Sequence, residues 1–131
     1  MTETKDVRPG HSDVTTEGIR VRVGAKRVEE HNFPDPSKNI FIYQVVIENL
    51  GEEWAQLESR RWCIIDADGD QEIVEGPGVV GEYPALEPGE SHTYQSFCPL
   101  DTDWGSMEGH FTFCRRDGRR FDAEVGRFFL A

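Results

Sequence analysis

Ile19-Arg20-Val21-Arg22-Val23-Gly24-Ala25-Lys26 sets an apolar residue at every second position, with a cation or glycine between. Side chains that point alternately to a packed face and a wet face require that period of two, whereas a helix would need apolar residues three and four apart. The stretch is therefore a half-buried strand, and we read it as the first of the chain. The same grammar runs downstream. Residues 31–38, with Pro34 and Pro36, form a loop, and residues 40–47 are β-branched and aromatic on both parities, as suits a central strand. Residues 54–57 and 61–65 read as a strand pair or as one bent strand, stopped by Asp66-Ala67-Asp68-Gly69-Asp70. Its Asp-Gly step signals a hairpin, because glycine accepts the positive φ of a tight turn.

Residues 71–74 make a short return strand, and residues 83–88 hold too much proline for a regular ladder. Alternation resumes over residues 92–98, 109–114, around Phe121 and over 128–130, with turns at Pro88-Gly89 and Asp117-Gly118. No window carries the apolar spacing of a helix. The expectation is an all-β antiparallel sandwich of seven to nine strands, formed by residues 15–131 as a single domain. Upstream, residues 1–14 are polar and mixed in charge, with too little apolar surface to offset ordering, and read as a flexible tail.

The 131 residues carry 25 Asp and Glu against 14 Lys and Arg, a formal charge of -11. That field repels phosphate backbones and anionic membranes, so nucleic acid and membrane surfaces are disfavoured partners. No apolar run approaches the ~18 residues of a membrane span, and the N-terminus lacks the apolar stretch of a signal peptide; a cytoplasmic location is expected. Cys63, Cys98 and Cys114 are odd in number and contain no Cys-x-x-Cys pair. They are expected to be reduced, mostly buried thiols. Trp54, Trp62 and Trp104 are assigned to the core.

Gly76-Pro77-Gly78-Val79-Val80-Gly81 has the spacing of the dinucleotide fingerprint. That motif works through the amides and dipole of a following helix, and here Glu82-Tyr83-Pro84 follows instead. The segment reads as a glycine-shaped turn or bulge. Its alternative use is a nest of backbone amides for phosphate, assisted by Arg60 or Arg61. Asp66, Asp68 and Asp70 alternate as divalent-metal ligands could, but a calcium loop would need glycine at Gln71 and glutamate at Pro77. A solvated acidic turn is the simpler reading. His11, His31, His92 and His110 are scattered, and His110 and Cys114 lie about 13 Å apart along a strand, beyond proton-transfer reach. The sequence offers no catalytic constellation and calls for no cofactor. Arg115-Arg116-Asp117-Gly118-Arg119-Arg120 puts four arginines around one turn, expected to be solvated and partly paired with acids.

The ordered set Gln56-Leu57-Glu58-Ser59-Arg60-Arg61-Trp62, Ile64-Ile65-Asp66, Val74 to Glu82, Pro88-Gly89-Glu90 and Gly105-Ser106-Met107-Glu108-Gly109-His110-Phe111 resembles the ApaG family. The resemblance implies a fibronectin type III-like, immunoglobulin-like sandwich, which agrees with the strand reading. Bacterial members take their name from an operon that also encodes a diadenosine tetraphosphate hydrolase, and the family is tied to divalent cation homeostasis through cobalt and magnesium. Similar eukaryotic domains, in F-box proteins and a polymerase-interacting protein, look like protein-interaction modules. The resemblance brings no catalytic residues. Its glycine loop maps onto Gly76, Gly78 and Gly81, with pyrophosphate as the implied ligand.

Function is accordingly expected to be non-enzymatic binding of a protein partner by the loops of a sandwich, in a monomer or weak homodimer. A phosphate or nucleotide ligand at Gly76, Gly78, Gly81, Arg60 and Arg61 is the alternative. Divalent-cation sensing through Asp66, Asp68 and Asp70 is a third.

Overall fold

The computed structural model describes residues 10–28 and 38–131. Nine strands form two antiparallel sheets, and the described residues contain no helix. One sheet has the order β1 (His11–Thr16), β2 (Ile19–Arg27), β3 (Asn39–Asn49), β7 (Ser91–Leu100). The other runs β5 (Gln71–Pro77), β4 (Ala55–Asp66), β8 (Gly105–Arg115), β9 (Arg120–Leu130), and the two-residue β6 (Ala85–Leu86) also pairs with β4. The sandwich is the one expected from alternation.

Two boundaries differ from the sequence reading, and a third falls to one of its alternatives. The stretch that opened the analysis is the second strand, because His11 to Val14, assigned to the tail, pair with β2 from His11↔Gly24 to Val14↔Val21. Val14 and Ser12 lie against Gly126 of β9, so even a polar segment gains buried area and a full ladder there. The residues around Phe121 and those at 128–130 belong to one strand. Residues 54–65 are likewise one strand, the bent alternative. Residues 1–9 of the tail and 29–37 of the proline loop lie outside the described residues.

Both merged strands contain a register shift, in β4 between Leu57 and Ser59 and opposite Met107 and Gly109 in the β8–β9 ladder. An extra residue reverses which parity faces inward. Ala55 and Leu57 are buried before the shift, and Trp62 after it. In β9, Ala123 and Val125 are buried before Gly126-Arg127, and Phe128 and Leu130 after it.

The core is a layer of aromatics between the sheets. Trp62 packs edge-on against Tyr43, Phe111 and Phe128, with ring centroids 5.5, 5.8 and 6.0 Å away. Opposite Trp62, Gly109 lets β8 approach β4 so closely that a Cβ there would fall 1.9 Å from the Arg61 carbonyl oxygen. Trp62 alone of the three tryptophans is buried; Trp54 is half-buried and Trp104 is 46% exposed, which corrects their assignment to the core. Of the three thiols, Cys98 is buried and Cys63 and Cys114 are half-buried. All three are unbridged.

The two Asp-Gly turns share one geometry. Gly69 N–H donates to Asp66 O and Asp66 N–H to Asp70 O; Gly118 N–H donates to Arg115 O and Arg115 N–H to Arg119 O. Each is a three-residue loop closed by a positive-φ glycine rather than a two-residue turn.

Candidate functional site

The glycine-rich segment projects from an interruption in β4. At the Leu57–Ser59 shift, Glu58 is the extra residue, and its carbonyl, left without a ladder partner, accepts the Gly78 amide at 2.9 Å. The Leu57 amide donates to Pro84 O at 2.9 Å. Between these two anchors the chain leaves the sheet edge after β5 and returns before β6 as a four-residue finger. Val79 and Glu82 exchange both backbone hydrogen bonds, at 2.8 and 2.9 Å, across the tip Val80-Gly81.

Both tip residues have positive φ, 47° at Val80 and 78° at Gly81, the pairing of a type I′ turn. Asn, Asp or Gly normally occupies the first of these positions, and a β-branched side chain there is strained. Val79 is buried and anchors the finger, whereas Val80 is 64% exposed and Tyr83 51%.

Arg60 fixes the finger from beneath. The shift at Glu58 turns Arg60 toward the inner face, in phase with Trp62 and opposite Gly76. Its Nη1 donates to Pro77 O at 2.9 Å and Gly78 O at 2.8 Å. Gly76 makes room for the guanidinium, since a Cβ there would stand 3.0 to 3.2 Å from it. The structure thus brings Arg60, Gly76 and Gly78 together with Gly81 at the tip, but directs the arginine to carbonyls rather than into an amide nest. Of the finger amides, those of Gly78, Val79 and Glu82 are bonded within the chain, leaving Val80 and Gly81 without partners among the described residues. Arg61 is elsewhere, on the outer face, paired with Glu75 at 2.9 Å.

Behind Arg60 the interior stays polar. Tyr94 of β7 stacks edge-on against Phe111, and its hydroxyl is buried without a hydrogen-bond partner among the described residues. Burial drives the Tyr94 hydroxyl far above its ordinary pKa, with Tyr43 adding to the rise and Arg60 opposing it. Burial also raises Tyr43, and it pushes the Cys98 thiol up to about 11, assisted by Glu72. A thiol held protonated in this way is a poor nucleophile.

The remaining candidates lie apart. Asp66, Asp68 and Asp70 have carboxylate oxygens within 4.8 Å of one another at the opposite end of β5 from the finger. One Asp66 oxygen already accepts the Asp68 and Asp70 amides, at 2.9 and 3.0 Å. The arginine hairpin is fully engaged. Arg116 pairs with Glu87 and lies over Trp54, Arg119 pairs with Asp117 and Glu53, and Arg120 with Glu58. Arg115, expected at the surface, is buried, donates to Glu53 O and Glu17 O, and lies over Phe121. The Arg120 guanidinium holds Glu58 below the usual carboxylate range.

Sequence reasoning passed over Val80, Tyr83 and Tyr94. Two signals were present: Leu57 and Trp62, both strongly apolar, stand an odd number of residues apart in one strand, and Val80-Gly81 occupies a turn that favours Asn-Gly.

Comparison with known proteins bears on all of this surface. The ApaG domain family matches residues 29–115. Protein ApaG of Anaeromyxobacter dehalogenans is 49% identical, covering 89% of this chain and 92% of its own length. Protein ApaG of Shewanella piezotolerans is 42% identical over 86% and 90% of the two chains. The crystal structure of a protein from Bordetella pertussis described as putative ApaA superposes with a TM-score of 0.82 at 37% identity, covering 90% of this chain and 96% of the other. With its family model, its relatives and its sandwich in agreement, the chain belongs to the ApaG family.

Proposed function

We propose that the chain is a non-catalytic binding module that docks a protein partner on the finger Val79–Glu82 and the adjoining Tyr83. The observation that carries this reading is Val80, strained by its positive φ yet 64% exposed, so that neither folding preference nor core packing accounts for a valine there. Exposed apolar groups on a rigid, preordered turn suit a binding anchor, because little conformational entropy is lost on docking. Arg60 and the two anchors at Glu58 and Leu57 supply that rigidity.

Val80→Asn tests the reading because folding and binding should respond in opposite directions. Relief of strain should raise stability by about 1 kcal/mol, while proteins recovered from the source cell by the wild-type chain should be lost. Tyr83→Ser should lose the same proteins without the gain in stability. Recovery of an unchanged set by both variants would defeat the proposal.

A phosphate ligand is the second reading, favoured by the adjacent unpartnered amides of Val80 and Gly81. It ranks lower because the other finger amides and Arg60 are committed. Titration calorimetry with ATP and diadenosine polyphosphates separates the two, a heat abolished by Gly81→Pro being the result that would promote it. Cation binding by Asp66, Asp68 and Asp70 rests on proximity alone, and a melting temperature unmoved by Mg²⁺ or Co²⁺ would remove it.

A further inference from the structure

Among the described residues, the edge of the first sheet at β7 lacks the usual defences against strand pairing. Natural sheets guard long edges with charges, prolines, glycine or bulges. In a chain with 30% charged residues, Ser91 to Leu100 contains no Asp, Glu, Lys or Arg. Its register with β3 is unbroken from Asn39↔Leu100 to Glu48↔Ser91, and Pro99 comes only near its end. The other edge on the same side, β5, carries Glu72, Glu75, Gly76 and Pro77 in seven residues.

Hydrogen-bond phase identifies the groups that β7 offers. Asn49 N–H donates to Glu90 O, which makes Asn49 opposite Glu90 a bonded pair. Alternation then directs the backbone of His92, Tyr94 and Ser96 toward β3, and that of Thr93 and Gln95 away from it. Thr93 and Gln95 are exposed and their amides and carbonyls have no partner among the described residues.

We propose that the occupant of this edge is a second copy of the chain, with β7 pairing antiparallel to β7 about a two-fold axis near Tyr94, so that Thr93 and Gln95 of each copy exchange backbone hydrogen bonds with the other. A two-fold interface must be self-complementary, and an uncharged antiparallel edge meets that condition without like charges face to face. The same operation through β5 would bring glutamates together. Each chain bears a net charge of -11, so the bodies repel at long range and the contact should tighten as salt screens that field.

The test combines mass with amide exchange. Sedimentation should show the mass rising from monomer toward dimer with protein concentration, and rising further between low salt and roughly 0.5 M NaCl. Thr93 and Gln95 amides should exchange roughly tenfold more slowly in the dimer, a protection set by the local free energy of opening. Gln95→Pro removes an outward amide that β3 does not use, and it should give a monomer that still melts cooperatively. Gln95→Glu keeps the amide but introduces like charge near the axis, and it should weaken the dimer even if the proline variant folds poorly. A monomer at about 1 mM protein in high salt with unprotected Thr93 and Gln95 overturns the proposal, as does a dimer that survives both substitutions.

Discussion

The two long sides of the sandwich solve opposite problems. On one side, β1 and β2 both pack against β9, Gly126 lies against Val14 and Ser12, the Glu124 amide donates to Thr16, and the inward residues Ala123, Val125, Phe128 and Leu130 are apolar and buried. On the other, β5 and β7 do not pair with each other, and the inner face there carries Arg60 of β4, Glu72 of β5 and Tyr94 and Ser96 of β7 beside Trp62 and Cys98. The closed side is filled mainly by apolar groups, with Ser12 the buried polar exception. The open side holds polar groups in two ways: the Arg60 guanidinium reaches the carbonyls of Pro77 and Gly78, whereas the Tyr94 hydroxyl is buried without a partner among the described residues. Arg60, the glycine segment and the aspartate turn fall on that open side, and Arg61 on the outer face of β4.

Substitutions should therefore divide by side. Phe128→Ala empties a site that touches both Tyr43 and Trp62 and should cost about 3–5 kcal/mol in urea unfolding. A comparable loss from truncating a polar open-side residue such as Ser96 or Glu72 would break the distinction. Arg60→Ala removes two hydrogen bonds to the finger and should cost about 1–3 kcal/mol. The Gly78 amide should exchange faster in that variant while the β1–β2 ladder keeps its protection.

Tyr94→Phe should act in the reverse sense. It deletes a buried hydroxyl with no partner and should stabilise the fold by about 1 kcal/mol at neutral pH. The pH dependence sharpens this. Tyr94 and Cys98 are raised in the folded state, so their contribution is complete below their ordinary pKa values and is lost as pH climbs toward the folded ones, for Cys98 up to about 11. Denaturant midpoints followed from neutral pH into that range should fall less steeply in Tyr94→Phe than in the wild-type chain. The smallest effect belongs to Arg120→Ala, which breaks an exposed pair and should leave the denaturant midpoint almost unmoved. The Glu58 carboxyl, read by NMR titration, should then return toward its usual range.

Alternation alone carried the reading of the fold, and its two lapses mark where that reading stopped. Leu57 with Trp62, and Val125 with Phe128, fall out of phase along continuous strands because each strand has an extra residue. A break in phase looks the same in one dimension whether a strand ends or bulges. Glycine in the segment 76–81 correctly signalled a turn, and the grouping of Arg60 with that segment was legible; the direction of the Arg60 side chain was not, because it depends on the reversal at Glu58. Arg115 was misplaced for a related reason, since the carbonyls of Glu17 and Glu53 that receive it come from distant strand ends. The first strand was hidden by composition, polar residues being sufficient where the backbone itself completes a ladder.

The bulge at Glu58 also makes the protein a ready scaffold. Since the finger is held at its base by Gly78 to Glu58, by Leu57 to Pro84 and by the buried Val79, its two tip residues can be exchanged for a longer or foreign peptide without altering a core contact of the sheets. Epitopes and designed recognition loops grafted across residues 80–81 would be displayed in a constrained hairpin.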